Sequence, residues 1–165
     1  LNFTGPVLIS YCDYYMHWDY EKFKFNLKES DCDGSIPCYT GFHPHLIPKK
    51  NLYGSCKVDK DGYLIEIKEK HAWNKDKTKD LNSPGIFYFK DVLILEKYCK
   101  ELIKLNDHIN EEFYMSLPFN YLVRDGLKVW CPENVDYFCQ WGTPEDLEDY
   151  LFWIRTLHSM KESQS

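Results

Sequence analysis

Pro6-Val7-Leu8-Ile9-Ser10-Tyr11-Cys12-Asp13 is the stretch on which the fold turns. It is a near-continuous apolar run that stops at an acid. A strand with one wet face alternates apolar and polar residues, whereas an unbroken run fits a strand buried on both faces, as in a parallel sheet. The expectation is a central strand, parallel to at least one neighbour, with Asp13 just past its C-terminal end. Carboxylates in that place point into the crevice where open α/β sheets bind ligands. Domains seldom begin on their most buried strand, so further polypeptide is expected before Leu1.

Outward from this strand, helical and strand periods alternate. Asp19 fits a helix cap ahead of Tyr20, Phe23 and Leu27, which share one side. Asp31 to Gly34 reads as a turn and Ser35 to Phe42 as a strand. Gly41 to His45, with Pro48, reads as an irregular loop. Leu52–Val58 and Tyr63–Lys70 predict a β-hairpin around Asp59-Lys60-Asp61-Gly62, because Asp-Gly favours the left-handed backbone such turns need. Tyr63, Ile65 and Ile67 share a face of the second strand, and Glu69 continues it. Ile86–Phe89 predicts a further strand.

Asp91 starts a helix with Val92, Leu95, Cys99 and Leu102 at helical spacing. Asn110 reads as the cap of another, with Pro118 either kinking it or starting a new one, and Gly126 at its end. Lys128–Cys131 and Val135–Gln140 read as short strands. Thr143-Pro144-Glu145-Asp146 is a helix start, with a hydroxyl cap, Pro at the first position and acids after it. That helix carries Leu147, Leu151, Ile154 and His158 on one stripe. The reading is a single α/β domain over residues 1–158, a layered, mainly parallel sheet flanked by helices with a β-hairpin insertion, and a frayed tail at 159–165.

Composition narrows the function classes. The 165 residues carry a net charge of −6, and no basic stripe with interleaved aromatics occurs, so a nucleic-acid partner is not expected. No apolar run reaches the ~20 residues that span a bilayer, so no membrane partner is expected either. The seven cysteines are odd in number and lack Cys-x-x-Cys spacing, which points to a reduced, cytoplasmic compartment. Zinc at Cys32, Cys38, His43 and His45 is an open alternative, although the spacing matches no common template.

Five stretches, in order, resemble the sugar-1-phosphate nucleotidyltransferase family, which includes glucose-1-phosphate thymidylyltransferases. Val7–Asp13 is similar to the strand that ends in that family's metal-binding aspartate. Tyr53-Gly54 and the hairpin up to Glu69-Lys70 resemble the segment closing on its Glu-Lys-Pro motif. Asn82–Phe89 resembles its Gly-Ile-Tyr strand. Asn110–Tyr114 resembles an acidic-aromatic helix start, and Gln140–Leu147 its Gly-Thr-Pro turn and helix.

The resemblance implies the nucleotide-diphospho-sugar transferase fold, a Rossmann-like layering, here incomplete at its N-terminus. It implies transfer of a nucleotidyl group from a nucleoside triphosphate to a sugar-1-phosphate, with pyrophosphate leaving and Mg²⁺ as cofactor, as in nucleotide-sugar supply for polysaccharide biosynthesis. Asp13 would be catalytic and hold the metal, and Gln140 would hold a metal-bound water or a phosphate. Glu69 would take sugar hydroxyls and Lys70 the sugar's phosphate, with Gly54 and Gly85 giving the sugar close access to backbone. The partners implied are the two substrates, a covalently joined N-terminal half and a possible homo-oligomer.

The departures are specific. The family's Gly-rich loop with its Arg and Lys has no counterpart here. Gln140 stands where a second metal-binding Asp is usual, and His71 where the Pro is. Asp136 shares a strand face with Gln140, but lies roughly 13 Å along the strand and cannot replace that Asp. The departures leave a second reading, a non-catalytic phosphosugar-binding or interaction module.

Overall fold

The computed structural model describes residues 4–46 and 51–162. Pro48 and residues 163–165, which sequence assigns to a loop and a tail, lie outside them. The elements run β1 (Val7–Ser10), β2 (Tyr14–Trp18), α1 (Tyr20–Ser30), β3 (Gly34–Ser35), β4 (Ser55–Val58), β5 (Leu64–Lys68), β6 (Leu81–Asn82), β7 (Ile86–Phe89), α2 (Val92–Leu105), α3 (Pro118–Arg124), β8 (Val129–Trp130), β9 (Val135–Gln140) and α4 (Pro144–Glu162). They form a four-stranded sheet in the order β1-β7-β3-β8, a β2-β9 pair, and a three-stranded sheet in the order β5-β4-β6.

Local chemistry sets many of the element ends. Asp19 Oδ1 accepts the Lys22 amide at 2.9 Å and Asp91 Oδ1 the Leu93 amide at 2.8 Å, so both helices start where a side-chain oxygen takes an otherwise orphaned N–H. Thr143 does the same for Asp146 at 3.1 Å. The hairpin turns as its Asp-Gly pair predicts, with Asp59 Oδ1 accepting from Asp61 and Tyr63 and Gly62 at a φ of 83°.

Two cores form. Phe87 and Phe89 of β7 meet Phe119 of α3 at ring separations of 5.7 and 4.5 Å, and Val92, Leu95 and Tyr98 of α2 close the same cluster. Tyr39, Leu46, Val135 and Phe138 make the second core, beneath the β2-β9 pair.

The mixed α/β class is as expected, but β1 is not the central parallel strand that its apolar run predicts. It lies at the edge of its sheet and pairs antiparallel with β7, and most described strand pairs are antiparallel. Only β3 and β8 pair in parallel among the named strands. The run misleads because just one face, Val7 and Ile9, packs on the core, while Leu8 and Ser10 stay exposed.

Further differences follow from local backbone. Asn110 and Glu111 are both left-handed, at φ 53° and 65°, so no helix starts there, and Pro118 opens α3 instead. Gly34 belongs to β3, not to the turn before it, and the strand expected over Ser35–Phe42 is two residues long with isolated bridges beyond. Ile65 is exposed although Leu64 and Ile67 are buried. Tyr98 rather than Cys99 fills the core position of α2. The helix expected to fray from Ser159 continues to Glu162.

Gly34 shows how tightly α3 sits on the sheet: a Cβ there would lie 2.8 Å from Phe119 Cε1 and 3.2 Å from Leu122 Cδ2. Gly34→Ala should therefore cost about 1–3 kcal/mol through overpacking. Urea unfolding would show it as a lower midpoint with an unchanged slope, and a midpoint equal to the parent's would mean that α3 yields freely.

Candidate active site

Loops and strand ends converge at the ends of β1, β5 and β9 around a cavity of about 190 Å³. Asp13, Gly54, Glu69, Gly85 and Gln140, five of the six residues singled out in the sequence, line it. Lys70 does not. It is brought next to the wall instead, through Tyr114.

Glu69 follows β5 and turns its carboxylate inward. Ser116, fully buried before α3, donates its hydroxyl to Glu69 Oε1. Gly54 makes the room, since a Cβ there would lie 2.7 Å from the same oxygen. Burial pushes the Glu69 carboxyl above its ordinary value; the Ser116 hydroxyl and the Lys70 charge oppose that shift without cancelling it. A partly desolvated carboxylate with one hydroxyl donor retains lone pairs for more, which is what recognition of a polyhydroxylated ligand requires.

Lys70 sits at a left-handed φ of 56°, and its amide donates to the Tyr53 carbonyl at 3.0 Å. Its ammonium lies 5.2 Å from the centre of the Tyr114 ring and 3.8 Å from Glu112 Oε2. The Tyr114 hydroxyl hydrogen-bonds Glu112. These partners, Tyr114 first, raise the Lys70 pKa. The charge is fixed at the rim by an aromatic wall and an exposed acid.

Asp13 and Gln140 are joined by the β2-β9 pairing. Tyr14 is opposite Gln140, and the Trp141 amide donates to the Asp13 carbonyl at 2.9 Å. Both side chains gather over Gly142, where a Cβ would lie 2.4 Å from Gln140 Nε2 and 3.0 Å from Asp13 Oδ2. Among the described residues no group of three or more His, Cys, Asp or Glu could hold a metal. The donor set fits Mg²⁺ only in the form common for phosphate substrates, with one carboxylate from the protein and the remaining oxygens from waters and phosphate.

Gly85 makes room for a side chain. At φ 88° it accepts the Tyr11 ring, whose Cδ2 would be 2.5 Å from an added Cβ, and its carbonyl takes the Tyr11 amide at 3.1 Å. Tyr11 thus fills the space beside Gly85, and burial followed by the Glu69 charge raises its phenol pKa. Tyr11, Tyr53, Tyr114 and Ser116 are site residues that sequence reasoning did not single out. Tyr53 and Tyr114 stood inside motif stretches; Tyr11 was hidden in an apolar run, and Ser116 carries no local signal.

The other polar candidates have structural partners. The His71 carbonyl accepts from Asn51 Nδ2 at 2.5 Å and Ser55 Oγ at 2.7 Å, and its ring packs edge-on against Trp73. His45 Nε2 meets the Tyr39 hydroxyl at 2.7 Å, and burial pulls its pKa down to about 3. The thiol of Cys38 faces that of Cys56, and Cys32 accepts from Ser30, so the zinc alternative has no support in their placement. All seven cysteines are free thiols. Asp136 pairs with His17 at 3.2 Å. No described helix is long and apolar enough to cross a membrane.

No protein-family model matches the chain, and no curated protein matches it. Solved structures do. A nucleoside-diphosphate-sugar pyrophosphorylase from Vibrio cholerae superposes with a TM-score of 0.64 at 16% identity, over 92% of this chain. The chain spans 57% of that structure's length. The likeness is one of fold, and it makes this chain similar to part of a nucleotide-sugar pyrophosphorylase.

Proposed function

We propose that this chain carries the sugar-phosphate and metal side of a sugar-1-phosphate nucleotidyltransferase, acting in the cytoplasm with a further N-terminal half that grips the triphosphate. The observation that carries the reading is the half-buried Glu69 carboxylate, held by Ser116 in a cavity that Asp13 and Gln140 also line. The fold likeness to a pyrophosphorylase supports it.

In the reaction, an oxygen of the sugar-1-phosphate attacks the α-phosphorus of a nucleoside triphosphate. One P–O bond forms, and the bond to pyrophosphate breaks. Such transfer needs positioning and neutralised charge rather than a nucleophilic side chain. Glu69 accepts hydrogen bonds from two sugar hydroxyls and so fixes the ring. Lys70, held on Tyr114 at the rim, meets the sugar's phosphate as a point charge. Asp13 would hold Mg²⁺, and Gln140 would orient a water or phosphate oxygen beside it. When bound, Mg²⁺ supplies the positive charge that draws the phosphates together and offsets charge developing in the transition state. Gly54 admits Glu69 and Gly85 admits Tyr11 to the wall of the site, beside the backbone that the sugar would approach.

Gln140 favours a second reading. With an amide in place of a carboxylate, the site carries less negative charge for a metal, and the chain then binds a phosphosugar without chemistry. Pyrophosphate release from the full-length protein separates the two.

Titration with a panel of hexoses and hexose-1-phosphates tests the binding roles. Glu69→Gln should weaken both classes by roughly ten- to a hundredfold, as expected for lost hydrogen bonds to a charged acceptor. Lys70→Ala should weaken only the phosphorylated sugars. Parent-like binding of both classes by both variants would reduce the pair to a rim ion pair.

The chain of 165 residues alone should release no more pyrophosphate than background across triphosphates and sugar-1-phosphates. Losing one electrostatic clamp on transferring phosphates typically costs on the order of 10²-fold or more. Robust turnover would mean that the triphosphate site lies within these residues.

Glu69 also gives a pH signature. Its folded pKa stands above the 4.5 of the free group, so between those two values the folded state binds more protons than the unfolded state. Stability contributed by the neutral acid is therefore lost as pH rises through that window. Urea midpoints against pH should fall more steeply for the parent than for Glu69→Gln. Identical profiles would show that the carboxylate is solvated.

A further inference from the structure

Tyr11 lines the cavity around Glu69 and keeps 45% of its surface exposed, yet its ring is held from several sides. The Tyr11 amide donates to the Gly85 carbonyl at 3.1 Å, which anchors the backbone. The ring lies against Gly85, where an added Cβ would stand 2.5 Å from Cδ2 and 3.2 Å from both Cε2 and Cγ. An edge contact with the buried Phe87 ring, 5.9 Å between centres at 75°, sets its tilt.

The far end of the ring reaches the wall that carries Glu69. The phenol is close enough to Glu69, Tyr114 and Asp13 to interact with their charges, and it is within hydrogen-bonding reach of the Met115 backbone. Met115 directly precedes Ser116, whose hydroxyl holds the Glu69 carboxylate. The ring therefore runs from Gly85 to the segment that positions Glu69, and a ligand bonded to that carboxylate has to lie beside it. All of these contacts are internal to the chain, so further polypeptide can narrow the cavity without supplying or removing any of them. The space is already small: pockets for drug-sized ligands run to about 300–1,000 Å³, whereas this one holds about 190 Å³.

We propose that the Tyr11 ring is the wall that sets ligand size in this site, admitting a sugar-1-phosphate with nothing bulkier than a hydroxyl beside the positions that Glu69 takes, and excluding N-acylated amino sugars. The inference rests on the sugar-phosphate reading and names its substrate class. An acylamino group is larger than the hydroxyl it replaces. The ring has little room to retreat before it, because Gly85 and Phe87 are already in contact on the other side. Discrimination by a few atoms in such a pocket is worth roughly 10- to 200-fold.

The test titrates the full-length protein with glucose-, galactose- and mannose-1-phosphate, each beside counterparts that carry an acetamido group at C2, C3 or C4. For the hexose phosphate that binds best, the parent should reject at least one counterpart by roughly tenfold or more. Tyr11→Ala should close most of that gap while still binding the hexose phosphate, which also shows that its site is folded. Tyr11→Leu keeps an apolar partner for Phe87, should close the gap in part, and serves if the alanine variant does not fold. Tyr11→Phe keeps the ring and should keep the preference. Equal affinity of the parent for all counterparts, or a gap that Tyr11→Ala and Tyr11→Leu both leave unchanged, overturns the proposal and leaves the sugar-phosphate reading standing. Loss of the preference in Tyr11→Phe overturns it as well, by assigning selection to the phenol hydroxyl. Failure of the parent to bind any of these phosphosugars removes the underlying reading, and the proposal with it.

Discussion

The approach of Glu69 to Gly54 is the contact on which the cavity depends. A carboxylate oxygen stands 2.7 Å from where any Cβ at position 54 would be. The same short segment is tied on both sides: the Tyr53 carbonyl accepts the Lys70 amide and the Gly54 carbonyl accepts the Ser83 amide at 2.9 Å. One glycine thus joins the end of β5 to the loop that leads into Gly85 and β7. A side chain at 54 would either displace Glu69 from Ser116 or separate these backbones. The cavity wall and the arrangement of the antiparallel strands behind it are one structure.

That contact has an electrostatic cost. Removing a carboxylate from water disfavours its charge, and the single Ser116 hydroxyl only partly offsets this. Lys70 contributes from the rim but is shared with Tyr114 and Glu112. A folded chain without a ligand therefore keeps an under-satisfied acceptor facing a cavity. A ligand rich in hydroxyls would supply further donors to this carboxylate, and that is the physical ground on which we propose recognition as the role of Glu69.

Sequence was most informative where the determinants are local. Asp19, Asp91 and Thr143 cap helices by bonding amides two or three residues away, and the Asp59–Gly62 turn closes on itself, so each could be read from a few neighbours. Glu69 stood out because it follows an apolar strand, although Ile65 of the face it was read to continue is exposed. The β1 strand was misjudged because an apolar run records how much surface wants cover, not what covers it. In the structure one face packs on the core and the other stays exposed. Strand β2 was missed altogether: Tyr14–Trp18 has no turn signal before it, and its pairing with β9 is over a hundred residues distant in sequence. Ser116 is the limiting case, a fully buried serine whose role exists only once α3 has docked.

The exchange of a carboxylate for Gln140 bears on how the proposed site would work. Asp13 and Gln140 share the space over Gly142, so the pair is geometrically intact while its charge is halved. One carboxylate and an amide oxygen attract a divalent cation less than two carboxylates do. The missing negative charge has to come from elsewhere, and in a nucleotidyl transfer the phosphates carry it. The same charge balance lowers the repulsion that an anionic sugar-phosphate meets on approaching Asp13. In the proposed site Gln140 would therefore weaken metal binding and ease entry of the anion, two effects of opposite sign on turnover but of one sign on phosphosugar binding.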